Sequence, residues 1–558
     1  MTSLVDDSRA RALEQGAQTA FVFLEDGERE TERLTFAELD RKARAVAARL
    51  QAAGAQGERA LLIYPPGLEF VAAFYGCLYA GAVAVPVTPP NPAKLDRTLP
   101  RLRAIARDAA ARFLLATGET LALAAAFAEV EPVLAQLTWI STDDVAAGGE
   151  DAWRDPRACG DDVAFLQYTS GSTAAPKGVM VSHQNLFANL AMVDHARPLG
   201  SGAVGVSWLP LYHDMGLIGH VVYPVHRGFT QYLMSPLAFL QRPLRWLDAI
   251  SRYGGTVSGA PNFGYQLAIA RSRPEQRAAL DLRSWRTAYC GAEPLRPGTV
   301  RGFAEEFAVA GFRVESFSPC YGLAEATVLV CSLEHGHPIV TKAFSQDDLA
   351  RGVATADSGG RLHVGVGEPT ADIAIVDPEQ CTRLEDGRVG EIWVRGPHVA
   401  KGYFGDPART AEVFQARTVE GEGPFLRSGD LGFIHGGQLF IAGRIKDLII
   451  VAGRNYHPQD LELTAERAHP AVRAGGAAAF GISSHGGEEV ALLVEHDGSA
   501  AEQEVVAAVR LAIAAEHQLT VQRVRLVPPR SLPKTGSGKI QRHACRNLFL
   551  AADDDVAR

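Results

Sequence analysis

Tyr168-Thr169-Ser170-Gly171-Ser172-Thr173-Ala174-Ala175-Pro176-Lys177-Gly178 is the stretch from which the rest of the chain can be read. The apolar run Val163, Ala164, Phe165, Leu166 predicts a strand leading in, and Val179-Met180-Val181 predicts a strand leading out. Between them, small hydroxyl residues and a glycine expose backbone N–H groups and O–H donors, and Lys177 adds a point charge. A polyphosphate needs these groups from a protein. The loop is not of the Walker type: Pro176 stands where a second glycine would, and Gly178 follows the lysine instead of Ser or Thr. Taken alone, the stretch also reads as a polar hairpin with a surface lysine.

Length and composition bound what surrounds this loop. With 558 residues, 47% of them hydrophobic, the chain can bury more than one core. A mixed charge with a net −9 argues against a general nucleic-acid binder. Cys77, Cys159, Cys290, Cys320, Cys331, Cys381 and Cys545 are scattered, odd in number and lack a C-x-x-C pair. They read as free thiols in a reducing compartment, not as a disulfide scaffold or zinc site. Met1–Asp7 has no basic-then-apolar pattern, so no signal peptide is expected. Phe70–Val85 is uncharged but short, and it is interrupted by Gly76 and Gly81 before Pro86. It predicts a buried helix followed by a buried strand over Val83–Val87, not a transmembrane segment. A cytoplasmic location follows as the expectation. Only eight of the 55 basic residues are lysine, and four of those (177, 446, 534 and 539) fall in motifs. Lysine offers a slim, flexible point charge that arginine does not.

Thr35-Phe36-Ala37-Glu38 fits a capping box, and the apolar face from Phe36 to Leu50 predicts a helix ending near Gly54. Ala60–Tyr64 predicts a strand, and helical periodicity extends over the Ala-rich region Ala104–Glu129. Strand-like runs alternating with amphipathic helices give an α/β fold. Leu211-Tyr212-His213-Asp214-Met215-Gly216 reads either as an ordered loop beside a pocket or as a core histidine. Ser258–Tyr265, which includes Asn262 and Phe263, joins a strand to a helix and is a candidate cavity wall. Tyr289-Cys290-Gly291-Ala292-Glu293-Pro294 and Ser318–Thr327 are further Gly-containing strand ends, where ligands gather in open α/β sheets. In the second, Tyr321 offers a ring face to a base and Glu325 a hard oxygen ligand for Mg²⁺. A turn tyrosine and a helix N-terminal glutamate remain the alternatives.

In this order the motifs resemble the adenylate-forming superfamily of acyl-CoA synthetases, luciferases, adenylation domains and fatty acyl-AMP ligases. Arg427–Gly432 resembles the segment whose aspartate, Asp430, holds the ribose hydroxyls, and Gly443–Asp447 resembles the hinge. Pro533–Arg542 resembles the loop of the catalytic lysine, Lys539. Tyr64–Phe70, Ala73–Gly81, Leu211–Gly216 and Gly453–Asp460 are most similar to the fatty acyl-AMP ligases. So is the length of the stretch between Thr327 and Gly365, where that group carries an extra segment thought to disfavour CoA transfer, here roughly 333–363. Asn455 stands where CoA-using relatives often have a basic residue.

The resemblance implies a large N-terminal domain of packed sheets and helices, 1–445, and a small mobile C-terminal α+β domain, 446–558, turning at Lys446. Strands over Ala477–Ile482, Val490–Val494 and Val521–Val527 and a helix over Glu502–His517 suit the small domain. It implies ATP and Mg²⁺ as cofactors, with Glu325 toward the metal. Thr169, Ser170, Gly171, Ser172, Thr173 and Lys177 would take the β- and γ-phosphates; Gly291, Ala292, Glu293, Tyr321 and Gly322 would lie about the adenine. Asp430 and Arg444 would hold the ribose, and His213 with Tyr212, Met215, Asn262 and Phe263 the acyl pocket. A medium- or long-chain fatty acid is the expected substrate. The implied acceptor is the phosphopantetheine thiol of a separate acyl carrier protein, or of a carrier domain of a polyketide or peptide synthase. A fatty acyl-CoA synthetase shares every residue of the first step and is the alternative.

Overall fold

The computed structural model describes residues 3–90, 95–122, 132–144, 148–168, 176–200, 202–451, 454–484, 487–535 and 538–554. Among them, three large sheets and one two-stranded sheet build the body up to residue 444. One has the strand order Cys331–Ser332, Phe317–Tyr321, Thr287–Cys290, Val257–Ala260, Val204–Ser207, Thr230–Met234, Thr19–Leu24, Glu30–Thr35. Its central pairings are parallel. A second runs Thr138–Ser141, Phe113–Ala116, Arg59–Leu62, Val83–Pro86, Val163–Tyr168, Gly178–Ser182. Asp372–Val376, Gly390–Arg395, Leu426–His435 and Gln438–Arg444 form a third, antiparallel sheet.

In the first two sheets the inner strands Arg59–Leu62, Phe113–Ala116, Val257–Ala260 and Thr287–Cys290 are short apolar runs buried on both faces, as parallel strands covered by helices must be. Between those sheets lies the helix Leu68–Ala80, buried at every residue except Glu69. It stops at Gly81, whose left-handed φ of +70° turns the chain into Val83–Pro86. Phe36–Ala52 begins with the reciprocal cap read from sequence: Glu38 N–H donates to Thr35 Oγ1 at 3.2 Å, and Thr35 N–H to Glu38 Oε2 at 2.8 Å. No helix among the described residues is long and apolar enough to cross a membrane.

The Ala-rich region is not helical throughout: the helix Leu95–Asp108 ends and Phe113–Ala116 enters the second sheet. Four consecutive buried apolar residues satisfy a buried strand better than a helix with one wet face, and alanine hides the change of period. Residues 333–363 contain the strands Thr341–Phe344 and Arg361–Val364, which begins within the segment, with the short helix Gln346–Ala350 between them.

From Ile449 onward the buried side chains form clusters of their own. Val472–Ser484, Gly487–His496 and Arg523–Val527 make a mixed sheet flanked by Pro458–Ala468, Glu502–His517 and Arg542–Asp554. The last strand starts at Arg523, two residues later than expected, because Val521 packs into the core ahead of it.

Candidate active site

The carboxyl ends of Val257–Ala260, Thr287–Cys290 and Phe317–Tyr321 open into a cavity of about 1040 Å³ walled by both parts of the chain. At one end, Tyr321 Oη donates to Asp430 Oδ2 at 2.8 Å and Arg444 Nε to Asp430 Oδ1 at 3.0 Å. Burial drives the Tyr321 phenol far above its usual range, and Asp430 raises the Arg444 guanidinium further. The loop carrying Asp430 is fixed from behind by Glu391, which accepts from Gly429 N–H at 3.0 Å and from Arg427 Nε at 3.0 Å. Ala292 and Gly322 also line the cavity. Gly291 lies behind the wall, since a Cβ there would meet Cys320 Sγ at 2.7 Å; it lets two strands close up and does not face the ligand space.

Lys539 reaches the same cavity from the small part of the chain. Burial and Arg444 hold its ammonium below the ordinary lysine value, against the opposing pull of Asp214, Glu293 and Asp430. Its loop is tied by Thr535 Oγ1, which accepts Lys539 N–H at 3.1 Å. Gly538 has φ +84° and lies so close to the Phe263 ring that a Cβ would sit 2.8 Å from it. Phe263 N–H donates to Glu293 Oε1 at 2.6 Å, and Asn262 Oδ1 accepts from Arg296 N–H at 3.0 Å. Burial raises the Glu293 carboxyl, although the Phe263 amide, Arg296 and Lys539 oppose it.

His213 Nδ1 lies 2.5 Å from Asp214 Oδ1. Burial pushes the Asp214 carboxyl up, but His213 and Lys539 outweigh it and hold the group below its usual value. His213, Met215, Asn262 and Phe263 line the cavity. Tyr212 does not: its phenol turns to Thr88 and Arg101, and only its carbonyl faces the site's framework, accepting from Gln167 Nε2 at 3.0 Å. Adjacent residues entering a helix point different ways, so the neighbour of a pocket histidine need not share the pocket.

Thr169, Ser170, Gly171, Ser172 and Thr173 lie outside the described residues. Lys177 lines the cavity, 5.2 Å over the ring of Tyr403. Burial and the cations Arg409 and Lys446 lower its pKa. Tyr403 Oη donates to Glu325 Oε1 at 2.9 Å, so Glu325, Lys177 and Lys446 gather at one end. Next to Glu325, Thr327 adopts φ +70°, rare for a β-branched residue, and its hydroxyl donates to the His398 carbonyl at 2.6 Å. Among the described residues, no group of three or more His, Cys, Asp or Glu is placed to hold a metal. One carboxylate beside a lysine suits Mg²⁺, which is bound by one or two carboxylates together with substrate phosphates.

The family described as AMP-binding enzyme matches residues 8–404, and the Disco-interacting protein 2-like AMP domain matches 446–555. The chain belongs to the AMP-binding enzymes. Among relatives of this AMP-binding enzyme is the medium-chain-fatty-acid–acyl-carrier-protein ligase JamA of Moorena producens. It is 43% identical over 98% of this chain and 95% of the relative. The long-chain-fatty-acid–AMP ligase FadD23 of Mycobacterium tuberculosis is 36% identical over 95% and 94%. A structure from work on the fatty acyl-adenylate ligases of E. coli and L. pneumophila superposes with a TM-score of 0.89 at 33% identity, covering 100% of this chain and 99% of that one. The fatty acyl-adenylate ligase of L. pneumophila, in complex with acyl adenylate and pyrophosphate, gives 0.78 at 37% over 98% and 96%.

Sequence reading missed Tyr403, Arg409 and Glu391. The signal for Glu391 was present, as a charged residue in the inward register of an apolar strand that must find buried donors.

Proposed function

We propose that this AMP-binding enzyme converts a medium- or long-chain fatty acid and ATP into acyl-adenylate and pyrophosphate. It then passes the acyl group to the phosphopantetheine thiol of a separate acyl carrier protein or carrier domain. The observation that carries the reading is the convergence of Lys539 with Asp430, Arg444 and the His213–Asp214 pair in one cavity.

In the first step a carboxylate oxygen bonds to the α-phosphorus while the bond to the β-phosphate oxygen breaks, and pyrophosphate departs. Two anions must meet, so the protein's contribution is placement and charge. Asp430 and Arg444 would fix the ribose, and Tyr321, Ala292 and Gly322 the base. Lys539 would sit between carboxylate and α-phosphate, with His213 at the head of the acyl pocket. Lys177 would meet the outer phosphates with the 169–173 loop. Mg²⁺ would be held by Glu325 and the phosphates and would supply positive charge there. In the second step the thiol sulfur bonds to the acyl carbon, the bond from that carbon to the phosphate oxygen breaks, AMP leaves and the thiol proton passes to solvent. A rotation of residues 446–558 about Lys446 would exchange Lys539 for the thiol channel.

The test is a product assay with ATP, Mg²⁺ and octanoic or dodecanoic acid, with CoA, with a phosphopantetheinylated carrier, or with neither. Acyl-adenylate should accumulate alone, and the carrier should be acylated far faster than CoA. Rapid acyl-CoA formation would instead make the protein an acyl-CoA synthetase.

A further inference from the structure

Deeper in the cavity the wall changes character. Arg197 follows the helix His183–Ala196 and is 7% exposed, yet it lines the cavity. Its Nε donates to Ser318 Oγ at 3.2 Å and its Nη2 to Ser332 Oγ at 3.1 Å, and the guanidinium lies 4.8 Å from the centre of the Tyr289 ring. Among the described residues no carboxylate comes within ion-pairing distance of it. Asp194, three residues earlier, is committed to Tyr223 Oη at 2.8 Å and Arg227 Nη1 at 3.4 Å. A buried cation with neutral partners alone is costly, and the Nη1 edge still has protons to give.

Tyr289, the second polar group on this floor, has no proton to give. Gln231 Nε2 donates to the Tyr232 carbonyl at 2.9 Å, so Gln231 Oε1 accepts from His220 Nδ1 at 3.2 Å. His220 Nε2 is then the acceptor for the Tyr289 hydroxyl. Burial keeps that imidazole neutral, its pKa brought down to about 4. Gly259 makes room for the ring, since a Cβ there would lie 2.3 Å from Tyr289 Cδ2. Gly259, Tyr289 and Ser318 stand in register across three parallel strands. Ser318 precedes Tyr321, a residue at the nucleotide end, by three positions within one strand. At the rise of a strand, the floor lies about 10 Å below that level.

We propose that Arg197 is a specificity residue that recognises an oxygen acceptor at the far end of a medium-length acyl chain: a hydroxyl, a carbonyl or a second carboxylate. The inference rests on the acid-activating reading above. An oxygen there would complete the arginine's hydrogen bonding, whereas a plain methyl end would leave its donors facing hydrocarbon.

The experiment compares kcat/KM for adenylate formation with octanoic acid, its ω-hydroxy derivative and octanedioic acid, in the wild-type protein, Arg197→Met and Arg197→Lys. The wild-type protein should favour at least one oxygenated acid over octanoic acid. Arg197→Met should lower that ratio by about tenfold or more, with octanoic acid gaining, and Arg197→Lys should restore part of it. Whichever oxygenated acid loses most identifies the group read. A wild-type protein that disfavours both oxygenated acids overturns the inference even if the variants do not fold. So does a ratio that Arg197→Met leaves unchanged while octanoyl-adenylate still forms. If the wild-type protein adenylates none of the three acids, the underlying reading fails instead.

Discussion

Lys539 is the residue on which the proposed first step turns. It is a buried ammonium among Asp214, Glu293 and Asp430, with Arg444 as an opposing cation. An ammonium held there before substrate enters needs little reorganisation when negative charge gathers on the reacting oxygens, which is where such groups act most strongly. Removing it should leave the Asp430–Arg444 pair, the proposed ribose site, in place. Lys539→Ala is therefore expected to bind ATP with near wild-type affinity by calorimetry but to lose about 10²–10³ in pyrophosphate release. Release within tenfold of wild type would remove Lys539 from the first step. Lys539 was legible because it stands in a motif; Arg197 was not. Nothing in Ala196-Arg197-Pro198 separates a buried arginine from a surface one, and only the packing of Ser318, Ser332 and Tyr289 around it does so.

At the scale of elements, the site depends on close approaches that place loops to within an ångström. The short helix Asp214–Leu217 follows His213 and doubles back on Pro210, so a Cβ on Gly216 would lie 2.0 Å from the Pro210 carbonyl oxygen. The obstacle is backbone and cannot swing away. Gly216→Ala should displace His213, lower the thermal midpoint by a few degrees and slow adenylation, since overpacking of this kind costs about 1–3 kcal/mol. Unchanged values of both would show that the loop relaxes freely. The sequence carried the capped helix Phe36–Ala52, the strand ends and the order of the motifs because each has a local cause: a reciprocal cap, an apolar run, a glycine. It misled where local causes are silent. The change from helix to strand before Phe113 and the outward turn of Tyr212 are both decided by what packs against them.

At the scale of the molecule, the question is what holds residues 446–558 in a pose that puts Lys539 in the cavity. Arg296 Nη1 meets the buried Glu466 Oε2 at 2.8 Å, and Gln459 Nε2 donates to the Ala442 carbonyl at 2.6 Å. Two further links come from the 333–363 segment: Arg361 lies 2.7 Å from Asp460, and Asp347 pairs with Arg454. We propose that these two links restrain the rotation on which transfer to CoA would depend. Both are at least partly solvated, so each is worth about 1 kcal/mol at most, and together they bias the two poses by about tenfold. Asp347→Ala combined with Arg361→Ala should therefore raise the ratio of acyl-CoA formed to acyl-adenylate formed by about that factor. Measuring both products in one reaction separates a freed rotation from a damaged first step. A ratio that stays at the wild-type level while adenylate still forms would mean that the Arg296–Glu466 pair, not the 333–363 segment, sets the pose, and Arg296→Ala would then carry the effect.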